Sequence, residues 1–379
     1  MNDVRNVNLT LVITSMSSGG AERVMSTMAN YWIEKGMTIT LVTLDSTNSD
    51  FYELHPRIKR IGLDLMIESL NPLQAIKHNL NRLRKLRAAI KSSKPDVVIS
   101  FLDRMNVLTL LATRGLGVKV IVSERIFPPL HNYGKLWSLL RRISYPWANA
   151  VVIQSVQSLG WVEEITGRGT AIVIPNPIME PSDDRESEAL LSNLIPQSTV
   201  TKTIVAMGRL DYQKGFDILI KTFADVARSN SDWRLVIFGE GKERNALVRL
   251  SGMLGIADRV YLPGRVTKPM SFIRQADIFV LSSRYEGFPN ALMEAMACGV
   301  AVISFDCFSG PREIIRNGID GLLVPPEDMN ALAEALQHLI SDEAERKRVA
   351  ERAPDVITRF GLEKVMGMWE TTLLKVVRG

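Results

Sequence analysis

The chain has 379 residues, enough for two ordinary domains with a large buried core, and its 46% apolar content is that of a soluble globular protein. No apolar run approaches the roughly 20 residues that cross a bilayer, and two cysteines with four histidines exclude a disulfide scaffold or a zinc cluster. Charge is unevenly placed: up to Pro175 there are 21 Lys and Arg against 13 Asp and Glu, and 25 against 28 after it, so the two halves are expected to meet different partners.

The opening segment, MNDVRNVNLTLVITS, has a short apolar run broken by threonine, without a signal-peptide core or a small-residue cleavage site. Cys298 and Cys307 are expected to be free, buried thiols, and the expected compartment is the cytoplasm. Next come NLTLVIT, TITLVTL, DVVISF, KVIVS and AVVIQ, nearly apolar throughout, as suits parallel strands covered on both faces. Helical patterns follow several of them, such as GAERVMSTMANYWIEKG, closing on Gly36. The second half repeats the alternation with TIVAMG, WRLVIFG, RVYLPG, DIFVLS and VAVIS. Between the halves, PNPIMEPSDDRESEALLSNLIPQSTVTK is rich in proline, serine and charge and reads as a linker. The pattern predicts an α/β protein of two doubly wound Rossmann-like domains facing a central cleft, with ligands at the carboxyl ends of the strands.

The loops after strands are therefore the candidate site. TSMSSGGAERV follows the first strand, and Gly19 and Gly20 let backbone amides approach a ligand at the start of a helix. It is not the G-x-G-x-x-G fingerprint of dinucleotide binding. In the second half, MGRLDYQKGFD places Arg209 and Lys214 in one glycine-bracketed loop, where two cations suit a diphosphate as well as a solvated surface. FGEGKER makes a tight strand-to-helix turn, and FSGPREII puts Pro311 at a first helical position after Ser309 and Gly310. In SSRYEGFPNALMEAMACG, Pro289 is expected to open a helix that ends at Gly299. Helical side chains lean toward the N-terminus, so Glu294 would reach back to vicinal hydroxyls such as those of a ribose. Glu286 stands one turn earlier, outside the helix.

Taken in order, these segments resemble the retaining, nucleotide-sugar-dependent glycosyltransferases of family 4, which have the GT-B fold. The spacing Glu286-x7-Glu294 is similar to their E-x7-E motif, and GGAER, GRLDYQKGFD, FGEGKER, LPGRV, EGFPNALMEAMACG and DGLLVPPED match successive landmarks over nearly the whole chain. The resemblance implies that Arg209 and Lys214 bind the donor diphosphate, that Glu294 holds the ribose, and that Glu286 contacts the transferred sugar. It implies that Gly287, Phe288 and Pro289 frame that sugar and that Arg265 and Val266 line the base pocket; Asn290, Gly19 and Gly20 are also candidate donor-binding residues. The implied boundaries are 1–177 for an acceptor-binding domain, 178–361 for the nucleotide-sugar domain, and 362–379 for a last helix crossing back to the first. Many members carry Ser-Glu-His where this chain has Ser123-Glu124-Arg125, and His131 is too far along to substitute. Asp103, Glu124 and Arg125 are therefore candidate cleft residues.

No D-x-D pair is available to hold a metal on a diphosphate, so no metal and no cofactor beyond the donor is expected. Between Pro72 and Pro95 there are seven basic residues and no acidic one, with Ile76, Leu80, Leu83, Leu86 and Ile90 on one face. Arg82, Arg84, Lys85, Arg87 and Lys91 there, with Arg141 and Arg142 beside Trp137 and Trp147, suit an anionic membrane surface. A core-facing helix with a solvated basic face is the plainer account. Nucleic-acid binding is not expected, because no recognised module is present. SFLDRMN, SER and RRISYP resemble the branch that builds surface polysaccharides or lipid-linked oligosaccharides by transferring galactose or N-acetylgalactosamine from UDP. The expectation is a metal-independent hexose or N-acetylhexosamine transferase working peripherally on the cytoplasmic face of the inner membrane. The alternatives are an epimerase of the same fold acting on a UDP-sugar, which would need acid/base carboxylates or histidines in the front cleft, and a non-catalytic nucleotide-sugar-binding protein. Intact Glu286, Arg209 and Lys214 argue against the last.

Overall fold

The nearly apolar runs of both halves form parallel strands in a computed structural model that describes residues 6–67, 71–126, 134–167, 169–181, 194 and 202–378. The chain divides into two units, Met1–Pro177 with Glu363–Gly379, and Ile178–Leu362. Most of the expected linker, and His131, lie outside the described residues.

In the first unit the strands are β1 (Asn8–Ile13), β2 (Thr38–Thr43), β3 (Lys59–Gly62), β4 (Val97–Phe101), β5 (Lys119–Ser123), β6 (Ala150–Ile153) and β7 (Ala171–Val173), in the order β3-β2-β1-β4-β5-β6-β7. The helices between them are α1 (Gly20–Glu34), α2 (Pro72–Ser93), α3 (Asp103–Thr113), α4 (Lys135–Ser144) and α5 (Leu159–Thr166). Burial on both faces explains the unbroken apolar runs: Val12, Val98, Val122 and Val151 pack with Leu86, Ile90 and Leu108 of α2 and α3. On the aromatic side, Trp32 of α1 meets Trp369 edge-on at 6.2 Å, and Phe101 lies 6.3 Å from Trp369. Trp369 belongs to the last helix of the chain, Leu362–Arg378, which is part of the first unit apart from its first residue.

The second unit repeats the plan with β8 (Lys202–Met207), β9 (Trp233–Phe238), β10 (Val260–Gly264), β11 (Ile278–Leu281), β12 (Ala301–Phe305) and β13 (Leu322–Val324), ordered β10-β9-β8-β11-β12-β13. Its helices are α6 (Phe216–Ala227), α7 (Arg244–Met253), α8 (Pro269–Ile273), α9 (Asn290–Ala297), α10 (Pro311–Ile314), α11 (Met329–Ser341), α12 (Glu343–Arg352) and α13 (Asp355–Phe360), and α14 is the last helix already described. Successive residues of β8 face opposite cores: Ile204 and Ala206 pack with Phe223 and Leu336, and Val205 packs with Leu292 and Met296. The helix expected to open at Pro289 begins at Asn290, with Pro289 as its N-cap residue.

The strand-end loops of this unit approach one another backbone to backbone. Gly239 leaves β9 with φ of 140°, and a Cβ there would collide with the Gly208 carbonyl oxygen. Gly239→Ala is expected to lower stability by more than about 2 kcal/mol, from the strained dihedral and the carbonyl clash together. Gly252→Ala, in α7 with nothing within 4 Å of the added carbon, should leave the melting temperature unchanged or raise it. Thermal unfolding followed by circular dichroism separates the two; equal melting temperatures would contradict the close approach at Gly239.

Candidate active site

The loop after β8 carries two cations in different states. Arg209 is 67% exposed in its side chain, with Nε 3.4 Å from Asp211 and Nη2 at 3.4 Å donating to Gln213 Oε1. Lys214 is only 17% exposed, and its Nζ donates to Glu286 Oε1 at 2.6 Å. Its stem lies across Gly208, where a Cβ would stand 3.0 Å from both Cδ and Cε. Gly215 then turns the chain into α6 with φ of 62°, where a Cβ would strike the Ser282 carbonyl oxygen after β11. Ser283 Oγ donates to the same Glu286 oxygen at 2.6 Å, and Gln213 Nε2 donates to the Tyr285 carbonyl at 3.0 Å. Arg284 braces this arrangement from outside: it donates twice to Asp217 at 2.9 Å, once to Glu327, and stacks on Tyr212 at 3.9 Å.

Glu286 is therefore a buried carboxylate offset by a lysine and a serine. Glu294 is also buried, inside α9. Phe288 packs edge-on to Phe360 at 5.4 Å, and Ser309 Oγ donates to the Gly287 carbonyl at 3.0 Å. Gly310 comes so close beneath that a Cβ would lie 2.7 Å from Pro289 Cδ. Asn290 opens α9. After β10, Arg265 is exposed and Val266 is half-buried, and the preceding Gly264 faces Glu240 of the β9 loop. Both thiols are pushed up by burial, Cys298 to about 12 and Cys307 still further, so neither is a nucleophile near neutral pH. Among the described residues no group of three His, Cys, Asp or Glu side chains is placed to hold a metal ion.

In the first unit Gly19 is the N-cap of α1, and Gly20 is its first residue. The Glu22 carboxylate folds over Gly19 where a side chain would stand, and Tyr52 donates to the Gly19 carbonyl at 3.0 Å. Glu124 follows β5, is buried and accepts a short hydrogen bond from the Tyr145 hydroxyl. Arg141 of α4 lies 3.6 Å from Glu124 and 3.6 Å from Asp103. Burial still holds the Glu124 carboxyl above the usual carboxylate range, with Arg141 and the Tyr145 hydroxyl opposing it. Arg125 lies 3.5 Å above the Phe101 ring and 5.9 Å from that of Trp369, with Nη1 donating to Asn176 Oδ1 at 2.7 Å.

Residues 18–179 match the family described as Glycosyltransferase Family 4, and residues 195–356 match Glycosyl transferases group 1. The chain is a glycosyltransferase. Over 373 residues it is 29% identical to the Campylobacter jejuni protein named "GalNAc-alpha-(1->4)-GalNAc-alpha-(1->3)-diNAcBac-PP-undecaprenol alpha-1,4-N-acetyl-D-galactosaminyltransferase", covering 98% of this chain and 99% of the relative. Sucrose-phosphate synthase from Thermosynechococcus elongatus superposes with a TM-score of 0.81 at 18% identity, over 97% of this chain and 99% of that one. HepE from Anabaena, solved in complex with UDP, gives 0.75 at 17% identity over the same shares of the two chains. The fold of the glycosyltransferase is thus GT-B.

The basic helices of this glycosyltransferase differ from expectation. Arg82 donates to the carbonyls of Leu65 and Ile67, and Arg87 to those of Ala112 and Arg114, so both tie α2 to its own unit. Arg141 is buried, which removes it from any membrane-facing surface, whereas Arg142 is exposed and 3.3 Å from Glu164. Trp137 and Trp147 pack toward the core beneath Arg104 and Arg114 instead of facing outward. Arg84, Lys85 and Lys91 are exposed. Of the expected apolar stripe, Leu86 and Ile90 are buried, but Ile76 and Leu80 are exposed, as are Leu73 and, on α4, Leu136, Leu139 and Ile143. Among the described residues no helix is long and apolar enough to cross a membrane.

Sequence reasoning missed Ser283 and Gln213. The signal was present in both cases: a serine three residues before Glu286, and a glutamine beside Lys214 in the loop already singled out. Removing one partner of the Lys214–Glu286 pair strands a buried charge, so Lys214→Met is expected to cost about 2 kcal/mol or more. The Lys214→Met/Glu286→Gln double variant should recover at least about 1 kcal/mol of the summed single losses. Urea denaturation of the four proteins measures this coupling, and strict additivity would mean that the two groups do not share a bond.

Proposed function

We propose that the glycosyltransferase moves a hexose or N-acetylhexosamine from a nucleotide sugar, a UDP-sugar, to a lipid-linked or polysaccharide-precursor glycan, with retention and without a metal, at the cytoplasmic face of the membrane. The observation that carries this reading is the buried Lys214–Glu286 contact beside the exposed Arg209. A diphosphate arriving at this loop meets one exposed guanidinium and one ammonium already held in place. As the bond from the sugar to the diphosphate breaks, negative charge grows on the leaving nucleotide, and preorganised cations oppose it without reorganising. Glu286, tied to Lys214, then stands on the sugar side, and Glu294 accepts hydrogen bonds from the ribose. Arg265 and Val266 flank the base. The UDP complex of HepE supports the nucleotide, and the undecaprenol-linked acceptor in the Campylobacter enzyme's name supports the acceptor class.

Turnover against a panel of UDP-, GDP- and ADP-sugars, with and without lipid extract and in excess EDTA, tests the reading. UDP-sugar consumption stimulated by lipid extract and insensitive to EDTA is expected. Replacing Arg209 by alanine should lower turnover about tenfold or more, since a charge-assisted contact is worth about 1.4 kcal/mol or above. Wild-type turnover in that variant, or activity that only magnesium restores, would refute the leaving-group role.

The membrane part of the reading rests on exposed Lys77, Arg84, Lys85 and Lys91 beside exposed Leu73, Ile76 and Leu80 on α2. Each basic residue near an anionic leaflet contributes roughly 1 kcal/mol, screened by salt. Binding to liposomes containing anionic lipid, weak binding to neutral ones and release by salt are expected. Reversing Arg84, Lys85 and Lys91 to glutamate should abolish this binding while leaving the fold intact, because none of the three carries the carbonyl contacts of Arg82 and Arg87. Undiminished binding of that variant would make α2 a solvated face only.

A further inference from the structure

We propose that Arg125 anchors an oxyanion subsite in the first unit, gripping through its Nε and Nη2 a carboxylate or phosphate carried by one of the enzyme's substrates. This deepens the transferase reading above and rests on it for the word substrate; the geometry stands by itself.

Arg125 follows β5, at the carboxyl end of the sheet, where ligands of doubly wound folds bind. Its side chain is fixed from three directions. The guanidinium lies over Phe101, with Trp369 beyond, and Nη1 donates to Asn176 Oδ1, an oxygen that also takes a short hydrogen bond from Gln154. No carboxylate is bonded to it among the described residues. Nε and Nη2 are buried, and neither has a hydrogen-bond partner.

Those two nitrogens form the flat edge of the guanidinium that grips a two-oxygen anion side-on. The same chain shows that edge occupied elsewhere. Arg60 uses Nε and Nη2 to hold both oxygens of Asp50 at 2.8 and 2.7 Å, and Arg312 and Arg348 hold Asp306 and Glu345 in the same way. In Arg125 the edge is held by the Phe101 and Asn176 contacts, with neither of its two nitrogens bonded. A buried guanidinium without an acceptor for two of its donors is costly, and burial lowers its affinity for its proton well below the ordinary arginine value. An oxyanion relieves that cost on arrival, and because the edge is covered in the free chain its capture requires local opening. Solvated surface arginines gain little from one more anion; this one gains both hydrogen bonds and charge compensation.

Two sources carry the chemistry: the carboxylate of an acidic sugar, and the phosphate of a lipid linkage or a nucleotide. The test uses the intact protein and follows tryptophan fluorescence, because Trp369 sits beside the guanidinium, with thermal unfolding as a second readout. Methyl α-D-glucuronide, inorganic phosphate and neutral methyl α-D-glucoside are titrated separately. A saturable fluorescence change and a raised melting temperature with glucuronide alone assign a carboxylate; the same with phosphate alone assigns a phosphate. The neutral glycoside should do neither. Arg125→Lys keeps the charge and loses the fork, and should weaken the response about tenfold or more. Trp369→Phe should abolish the fluorescence change but retain the thermal shift. Should Arg125→Lys fail to fold, the same titrations of Arg209→Ala decide, because a phosphate response that persists there does not come from the β8 loop and one that vanishes overturns the subsite. No response to either anion, an equal response to the glucoside, or an unchanged midpoint in folded Arg125→Lys would overturn the subsite. Transfer activity is not read in any arm, so that result would leave the transferase reading standing.

Discussion

The bond between Lys214 and Glu286 closes 72 residues of chain into a contact of 2.6 Å, and the second unit's strand-end geometry follows from what that closure requires. β8 and β11 must be neighbours, as the order β9-β8-β11 makes them. From β8 the chain moves outward to β9 and β10, then returns across to β11 and proceeds the other way, so the loops after β8 and β11 diverge at the topological switch point. The lysine stem needs a residue without a side chain at 208, the turn into α6 needs glycine at 215, and the β9 loop needs glycine at 239 to lie against 208. These glycines are one requirement seen three times. They bring the backbones close enough for a long cation to lie flat and be buried by the loops it joins.

Much of this was legible in the sequence, for a physical reason. Strands covered on both faces cannot alternate polar and apolar residues, so their runs stood out and their positions were found to within a residue or two. The three missed strands are β3, β7 and β13, each at a sheet edge and no more than four residues long. An edge strand has one ladder partner and needs no unbroken apolar run; in KRIG at the end of the first sheet, Lys59 is exposed and Arg60 is held by Asp50. The site was legible as a set of loops, because glycines and charges cluster after strands. Pairing was not. Nothing in the spacing of Arg209 and Lys214 distinguishes the cation that Glu286 buries from the one that solvent surrounds, since that depends on which strands become neighbours.

The first unit shows the same limit with buried charge. Glu124 and Arg125 are adjacent in sequence just after β5, yet they meet different neighbours, Tyr145 for the one and the Phe101 ring for the other. Glu124 joins Tyr145, Arg141 and Asp103, a set that draws α4 and α3 onto the strand ends by side chains from three segments. Arg125 lies on the aromatic side, where the last helix of the chain delivers Trp369. A lone carboxylate or guanidinium in such a setting would be strongly disfavoured. The Glu124 network answers that cost inside the protein with an arginine and a phenol. Around Arg125 the aromatic faces and one amide oxygen answer it only in part.

A count of charges along a sequence therefore differs from the charge a surface presents. The front half owes its basic excess partly to arginines whose donors are used inside the protein: Arg60 is clamped to Asp50, Arg82 and Arg87 satisfy main-chain carbonyls, and Arg141 is enclosed by two carboxylates. Arginine suits these posts because its planar fork reaches several acceptors and tolerates apolar faces. The lysines of α2 have no such use, and they stay at the surface with Arg84. What the helix offers outward is a narrower set than its six cations, and it is set next to Leu73, Ile76 and Leu80, which the core leaves uncovered. That combination of a few exposed cations with exposed aliphatic side chains on one helix is what interfacial binding needs, since charge brings a helix to an anionic surface and apolar area holds it there.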